Sequence, residues 1–249
     1  MCGRYASSRR PEDLVEEFEI AEVRVDAPLP ADYNVAPTKP VYAVVERPPS
    51  QESAEPPERQ LRVLTWGLVP SWAKDSRIGS RLINARKETV AQKPAYRRAF
   101  AARRCLLPAD GYYEWYPTSQ LTRSGKPVKQ PFFIRRRDHG VLAMAGLYEI
   151  WRDPELPEDD PGRFRWTCTV LTTDAPDELG RIHDRMPLLV EPEQWGAWLD
   201  PRHPGDPALL DLLVPAAPGL LEAYPVGQRV NNVRNNGPEL LEPVPVEDS

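Results

Sequence analysis

Thirty prolines are scattered through the 249 residues of this chain, and they constrain its fold more than any other sequence feature. Proline lacks the amide hydrogen that a helix interior needs, so a chain interrupted this often favours many short elements. Segments rich in β-branched and aromatic residues lie between the prolines and other turn residues, and we expect strands there. The expected strands are 41–46, 61–67, 105–116, 131–136, 141–151, 166–173 and 186–190.

Short helices are expected in the polar, amphipathic stretches, and several of these begin with proline at the first helical position. They are 11–20, 85–104, 175–183, 191–199 and 207–213. Strands outnumber helices and do not alternate with them, which predicts an α+β domain. We expect one domain over residues 1–235, a mostly antiparallel, barrel-like sheet with short flanking helices. An acidic tail is expected over 236–249, and hairpin loops or insertions at 47–60 and 116–130.

Several classes of protein are disfavoured. No apolar run approaches the length of a membrane span, and the N-terminus lacks the features of a signal peptide, so we expect a cytoplasmic protein. We also expect it to be a monomer. The cysteines, Cys2, Cys105 and Cys168, are odd in number and do not indicate a disulfide framework. Together with three histidines they show no ligand-like spacing, so we expect neither a metal nor a cofactor.

The distribution of charge matters more than its sum. The net charge is −5, yet residues 62–104 carry eleven Lys and Arg against two acidic residues, a local balance of +9. Acidic residues collect instead at 153–162 and 238–249. A basic stretch in an acidic protein is typical of a localised phosphate-binding face. A solvated helix face is the other interpretation, and charge alone does not separate the two.

Cys2 follows the initiator methionine directly, at a terminus where a structural thiol has little reason to be. If Met1 is removed, Cys2 presents an α-amine and a thiol on neighbouring carbons, which makes it a reagent. Glu114 lies among aromatic residues and is either a half-buried carboxylate with a raised pKa, suited to proton transfer, or a surface carboxylate on an edge strand.

Other polar and aromatic residues also have a structural and a functional interpretation. His183 is either a helix-terminal histidine or a side chain presented by a loop. Asn84 is interpreted first as an N-cap for the helix expected at 85. Trp66 and Trp72 are either core residues or, beside the basic segment, surfaces on which unpaired bases stack.

Six sequence motifs, taken together and in their order along the chain, favour the functional interpretations of these residues. They are "MCGRY", "YNVAPT", "WGLVPSW", "INARKET", "GYYEW" and "RMP". In this order and spacing the chain resembles the SOS-response-associated peptidase family, also described as abasic-site-processing proteins. The resemblance runs from Cys2 to about residue 233.

The resemblance implies a DNA-damage function: covalent trapping of abasic sites in single-stranded DNA through the N-terminal cysteine. It places the nucleophile at Cys2 and the assisting residues at Asn84, Glu114 and His183. DNA contacts are expected from Arg4, Asn34, Trp66, Arg81, Arg86 and Trp115, with the three arginines on phosphates. The partner is then single-stranded DNA with abasic sites, and the protein would associate with the nucleoid when bound.

The chemistry of these residue types agrees with that implication. A neutral α-amine attacks the aldehyde of a ring-opened abasic sugar, and the thiol closes the resulting Schiff base to a thiazolidine. The same Schiff base permits weak lyase activity, and Met1 is removed either by the protein itself or by an aminopeptidase. Two alternatives remain open: an N-terminal-nucleophile hydrolase acting on an amide, and a non-covalent binder of single-stranded DNA.

Overall fold

Strands dominate the fold, as the proline pattern predicts. The structure, a computed structural model, describes residues 2–48, 55–175, 177–203, 205–213 and 219–245. The strands in these ranges are β1 (Tyr5–Ser7), β2 (Glu22–Arg24), β3 (Asp32–Val35), β4 (Pro40–Arg47), β5 (Glu58–Trp66), β6 (Asn84–Arg86), β7 (Arg104–Ala109), β8 (Gly111–Leu121), β9 (Pro127–Arg136), β10 (Leu142–Arg152), β11 (Phe164–Asp174), β12 (Arg185–Pro187) and β13 (Leu221–Pro225).

The helices of the described residues are short. They are α1 (Pro11–Glu17), α2 (Arg97–Ala102), α3 (Asp177–Gly180), α4 (Trp195–Leu199) and α5 (Pro207–Leu212). Single 3₁₀ turns add Ser76–Arg81, Lys87–Thr89, Pro161–Arg163, Pro192–Gln194, Gln228–Asn231 and Pro238–Leu241. Four of the five expected helices are present in shortened form, and the fifth, 85–104, is mostly wrong.

Five strands close into a barrel, which confirms the expected α+β, barrel-like architecture. β10 pairs with β7 and β11, β7 with β4, and β4 with β5, all antiparallel. The ring closes where β5 runs parallel to β11, with Thr65 beside Thr167 and Trp66 beside Cys168. Closure gives each of these strands a partner on both sides along the ring, but β11 extends beyond its short contact with β5. Alternate residues of each strand, such as Val41 and Ala43 on β4, form the buried interior.

A second sheet, in the order β13-β9-β8-β1-β3, packs against this barrel. One face of it contributes Tyr5, Tyr112 and Ile134 to the buried cluster that fills the barrel. Its other face carries a separate small core that includes Tyr113 and Phe133. β1 lies between β3 and β8, so the N-terminal segment is fixed inside a sheet.

The helix expected at 85–104 is replaced for most of its length. Asn84–Arg86 forms β6, which pairs in parallel with Val170–Thr172 of β11. A 3₁₀ turn follows at Lys87–Thr89, and only Arg97–Ala102 is α-helical. The unfilled edge of β11 offers this segment backbone hydrogen bonds that outweigh its local helix preference.

The two segments expected to form loops, 116–130 and 47–60, have different structures. β8 and β9 extend through most of 116–130 and leave a turn only between Leu121 and Pro127. The 47–60 connection runs from the end of β4 to β5, and its residues 49–54 lie outside the described ranges.

The C-terminal segment packs onto the domain beyond the expected boundary at 235. Leu240 is buried, the Tyr224 hydroxyl donates to the Leu241 carbonyl at 3.0 Å, and the Val244 amide donates to the Pro225 carbonyl at 2.9 Å. Part of the expected tail, up to residue 245, therefore contacts the domain, and residues 246–249 lie outside the described ranges. Across the described chain, no helix combines the length and apolar character needed to cross a membrane.

Candidate active site

Cys2 lies at the end of the barrel, immediately before β1. The Tyr113 amide donates to the Arg4 carbonyl at 2.9 Å, which continues the pairing of β1 with β8 and holds this terminus in place. Cys2 has no exposed surface, and its Sγ lies 3.8 Å from the Arg4 carbonyl. Burial, and secondarily the charge of Glu114, raise the pKa of the Cys2 thiol well above its ordinary value. The thiol is therefore protonated at neutral pH.

Asn84 holds the backbone of Cys2. Its Nδ2 donates to the Cys2 carbonyl at 2.7 Å, and its own carbonyl accepts from the Tyr96 hydroxyl at 3.0 Å. The N-cap interpretation of Asn84 is wrong, because the residue begins β6 and its amide is directed to Cys2. The Asn84 Oδ1 is buried and has no hydrogen-bond partner among the described residues, so it can accept from a bound molecule.

Glu114 is a buried carboxylate on β8, where it pairs across the ladder with Phe132. Only 4% of it is exposed, and this burial raises its pKa to about 7. The raised pKa expected from the aromatic surroundings is confirmed. The charge of Asp184, in the loop after α3, raises the pKa of Glu114 further.

His183 follows α3 in a loop and is one-third exposed. Its Nδ1 accepts a hydrogen bond from the Arg185 amide at 3.0 Å and also lies 2.9 Å from the Asp184 carboxylate. These two contacts require opposite protonation states of Nδ1. Burial lowers the pKa of His183, which favours the neutral ring. Because Asp184 is 86% exposed, its contact is the weaker of the two, and the bond from the Arg185 amide favours Nδ1 as acceptor with the proton on Nε2.

Arg4 and Trp115 form one wall of a groove near Cys2. The Arg4 Nη1 donates to Asn34 Oδ1 at 2.7 Å and to the Val230 carbonyl at 2.9 Å, and its Cζ lies 5.8 Å from the Trp115 ring centroid. The Trp115 indole donates to Asn231 Oδ1 at 2.7 Å. This groove has a volume of about 530 Å³.

Two residues that were expected to contact DNA have buried side chains. Asn34 is fully buried, and its amide donates to the carbonyls of Val230, Asn232 and Asn235. Trp66 is also fully buried, and its indole donates to the Ile83 carbonyl at 2.9 Å. Neither side chain can touch a base in this conformation. Both are parts of the scaffold on which the site is built.

The exposed tryptophan of the "WGLVPSW" motif is Trp72, with 53% of its surface accessible. It lines a second groove, of about 490 Å³, together with Lys74, Arg77 and Arg81. Arg81 and Arg86, which precede and follow Asn84 along the chain, are exposed, as a phosphate-contacting role requires. The sequence separates the two tryptophans by their position relative to a strand. Trp66 is the last residue of β5 and is therefore a candidate for burial, whereas Trp72 follows the strand and is the better candidate for a base contact.

The basic segment 62–104 divides between structure and surface. Arg104 is buried against backbone carbonyls, Arg62 lies over the Trp166 ring, and Arg103 pairs with Glu149. The exposed members are Lys74, Arg77, Arg81, Arg86, Lys93, Arg97 and Arg98. The local excess of positive charge is therefore only in part a binding surface.

Sequence reasoning missed two elements of this site. The asparagine-rich turn 231–235 anchors both Asn34 and Trp115, and its run of turn-prone asparagines was an available signal. Lys129 on β9 lines the Arg4 groove, and its charge acts on both Glu114 and His183. Nothing in its local sequence distinguishes Lys129, because its position depends on the register of β8 with β9.

The fold and this site define a β-barrel protein with a buried cysteine at the second position, whose backbone is held by Asn84. Residues 1–233 match the family described as SOS response associated peptidase (SRAP), and the chain belongs to that family.

Relatives support the same assignment. The chain is 36% identical to the abasic site processing protein YoqW of Bacillus subtilis, over 97% of this chain and 99% of that protein. It is 32% identical to the abasic site processing protein HMCES of Gallus gallus, over 85% of this chain and 66% of that protein. A Bacteroides thetaiotaomicron crystal structure shares the fold, with a TM-score of 0.78 and 22% identity over 98% of this chain and all of that one.

Proposed function

We propose that this protein processes abasic sites in single-stranded DNA by trapping them covalently on Cys2 after Met1 has been removed. One observation carries the proposal. Asn84 fixes the backbone of a buried second-position cysteine beside Glu114, a carboxylate whose pKa of about 7 suits proton transfer. The names of the relatives support abasic sites as the substrate.

The first step is attack by the α-amine of Cys2 on the aldehyde carbon of the ring-opened sugar. An unperturbed α-amine has a pKa of about 8, so a useful fraction is neutral at physiological pH. The nitrogen forms a bond to carbon, the aldehyde oxygen leaves as water, and an imine results. Because burial keeps the Cys2 thiol protonated, the amine and not the sulfur is the first nucleophile.

The second step closes the thiazolidine. The sulfur bonds to the imine carbon, and the thiol proton moves to the nitrogen. Glu114 can relay this proton, because a group with a pKa of about 7 both accepts and donates protons near neutral pH. A ring is harder to hydrolyse than an open imine, so the adduct persists.

Asn84 and His183 assist these steps in different ways. Asn84 fixes the Cys2 backbone through Nδ2 and offers its buried Oδ1 to the amine or to a sugar hydroxyl. His183 presents its Nε2 proton to the sugar ring oxygen and so promotes ring opening. Since the pKa of His183 is lowered, it acts at neutral pH mainly as a hydrogen-bond donor.

The DNA strand is proposed to cross both grooves. An unpaired base stacks on Trp72, while Arg81 and Arg86 contact phosphates on one side of Cys2, and Arg4 and Trp115 contact the strand on the other. The imine intermediate also permits β-elimination, which predicts weak lyase activity.

Removal of Met1 by the protein itself is part of the proposal. The test compares the wild type with Cys2→Ala by intact-mass analysis after purification from the same host. Self-cleavage predicts that the variant retains Met1. Equal loss of Met1 from both proteins would assign the step to a host aminopeptidase.

The central experiment mixes the protein with single-stranded DNA that carries one abasic site and resolves the products on a denaturing gel. The wild type should give a shifted band with this DNA and none with the same strand carrying a reduced abasic analogue that lacks an aldehyde. Cys2→Ala from which Met1 has been removed by an added aminopeptidase keeps the α-amine at position 2 but lacks the thiol. It should give a band only when borohydride reduces the imine.

Each alternative predicts a different gel. A stable wild-type band that Cys2→Ala reproduces without borohydride would contradict thiazolidine formation. A non-covalent DNA binder or an amide hydrolase gives no band at any salt concentration. Those two are then separated by whether the protein retards intact single strands on a native gel.

A further inference from the structure

β11 separates the two parts of the active site. β6, which begins with Asn84, pairs with one edge of β11, and β12, which follows His183, pairs with the other. At Thr172 the two meet, because this residue lies beside Arg86 on one side and Pro187 on the other. Two strands separated by a third are about 10 Å apart. The alignment of Asn84 with His183 therefore depends on what joins these strands.

The side chain of Arg185 spans this distance. It begins on β12 and is only 8% exposed, and its Nη2 donates to the carbonyl of Thr172 on β11 at 2.6 Å. Beyond β11 it reaches Glu88, just after β6, where Nη1 and Nη2 donate to the two carboxylate oxygens at 2.9 and 3.1 Å. The paired bonds of a guanidinium with a carboxylate fix direction as well as distance.

The backbone of the same residue fixes His183. The Arg185 amide donates to His183 Nδ1 at 3.0 Å, which favours Nδ1 as an acceptor and the ring proton on Nε2. The competing contact of Nδ1, with the Asp184 carboxylate at 2.9 Å, involves a side chain that is 86% exposed, so it contributes less. One residue thus holds β6 by its side chain and orients the histidine by its main chain.

We propose that Arg185 is the positioning residue of this active site: its bridge to Glu88 aligns the strand of Asn84 with the loop of His183 and sets the tautomer of the His183 ring. The catalytic consequence rests on the proposed function. The structural consequence does not, and it is measurable without DNA.

Glu88 is the partner on which the bridge depends. Asp174 also lies 2.5 Å from Arg185 Nη1, but its side chain is 86% exposed, against 47% for Glu88. Glu88 accepts from both Nη atoms and Asp174 from one, so the Asp174 pair contributes less. Burial alone would raise the pKa of Glu88, yet the hydrogen bonds and charge of Arg185 outweigh burial, so the pKa is lowered. Glu88 is therefore ionised at neutral pH, as the bridge requires.

The decisive experiment is ¹⁵N NMR of the imidazole rings in the full-length protein, at a pH above the histidine pKa values. The chain has only three histidines, so the signals of His183 can be assigned, and His139 and His203 serve as internal controls. In the wild type, the His183 shifts should show the Nε2–H tautomer. In Glu88→Gln and in Arg185→Lys they should move toward a mixture of tautomers, with the other two rings unchanged.

Arg152→Lys is the matched control, because Arg152 pairs with Glu158 on an exposed surface. It should leave all three rings unchanged. Glu88→Gln keeps Arg185 and the shape of the carboxylate, so it decides the question if Arg185→Lys fails to fold. Unchanged His183 shifts in Glu88→Gln would overturn the proposal.

A second arm connects the bridge to the chemistry. At saturating abasic DNA, Glu88→Gln and Arg185→Lys should each slow crosslinking about tenfold or more, and the double variant should be no slower than the worse single variant. Weaker DNA binding with an unchanged saturating rate would make Arg185 a DNA contact instead and would overturn its positioning role. If the wild type forms no crosslink, the proposed function fails, while the NMR result still decides the bridge.

Discussion

The side-chain carboxylate of Glu114 is almost inaccessible to water. The folded state is therefore less stable when this carboxylate is ionised. Its pKa rises from an ordinary 4.5 to about 7 on folding. Between these values the folded state binds a proton that the unfolded state has lost, so stability falls as the pH rises through this window. The full cost above neutral pH is on the order of 3 kcal/mol.

Glu114→Gln should therefore stabilise the protein in alkaline solution while it slows crosslinking. The melting temperature of the variant should exceed that of the wild type at about pH 8, and the two should converge at about pH 4, where the carboxylate is neutral. Thermal denaturation across this range measures the difference. A variant that is less stable than the wild type at alkaline pH would show that Glu114 is stabilised as an anion.

Trp66 and Trp72 occur in one motif, but Trp66 is buried and Trp72 is exposed. Substitutions at the two positions should therefore have different effects on stability and on DNA binding. Trp72→Ala should weaken binding of single-stranded DNA about tenfold or more with little change in melting temperature, because a stacked base is lost from an exposed ring. Trp66→Ala should cost about 3–5 kcal/mol of stability, since it empties a buried site. Fluorescence anisotropy with an intact strand and denaturant unfolding measure the two effects. Equal DNA affinity in Trp72→Ala and wild type would remove the ring from the interface.

At the scale of elements, the Trp72 groove depends on a close approach of two backbones. A Cβ added to Gly79 would lie 2.5 Å from the Gly67 carbonyl oxygen, and one added to Gly67 would lie 2.7 Å from the Gly79 oxygen. Gly67 also has a φ of +130°, which side chains other than glycine rarely adopt. The loop after β5 is thus pressed against the 3₁₀ turn Ser76–Arg81, and together they shape the groove.

Gly79→Ala should push these segments apart, lowering both the melting temperature and the affinity for single-stranded DNA. Gly196→Ala is the matched control, because it lies in α4 with open space around its Cβ position. It should be neutral or stabilising by up to about 1 kcal/mol. An unchanged DNA affinity in Gly79→Ala would show that the groove tolerates the shift.

The same region shows where sequence reasoning about elements fails. The residues after Asn84 have reasonable helix propensity, and the expectation of a helix from 85 followed from that local preference. What decides otherwise is the free edge of β11, some eighty residues further along the chain. The alternation along β8 is by contrast a local property, because the side chains of a strand repeat every two residues, and the structure places Tyr112 and Tyr113 in different buried clusters.

For the molecule as a whole, composition and alternation were enough to predict strands, but not their connections. The expected strand 105–116 is in fact two, β7 in the barrel and β8 in the second sheet, separated at Asp110. The parallel contact of Thr65 with Thr167 that closes the barrel joins residues about a hundred positions apart, and no local pattern records it. Motifs were enough to name the residues of the site. Which of them are buried and which are exposed depends on the closure of the barrel, and the sequence does not show this.

For the whole molecule the net charge is negative, whereas the charge near the site is positive. This difference determines how we expect DNA binding to depend on salt. The protein carries −5 overall, so attraction must come from a few exposed cations near the site, among them Arg81 and Arg86. Each phosphate contact on a single strand contributes about −0.7 to the slope of log affinity against log salt.

Arg81→Gln and Arg86→Gln should therefore each make that slope shallower by about 0.7, and their effects should add. Arg202→Gln removes an exposed arginine that pairs with Asp200 and lies near Glu46, toward the end of β4 away from Cys2, and it should leave the slope unchanged. Titrations of an intact single strand at several salt concentrations give the three slopes. If Arg202→Gln changes the slope as much as the other two, attraction is spread over the whole surface, and the grooves beside Cys2 are not where the phosphates bind.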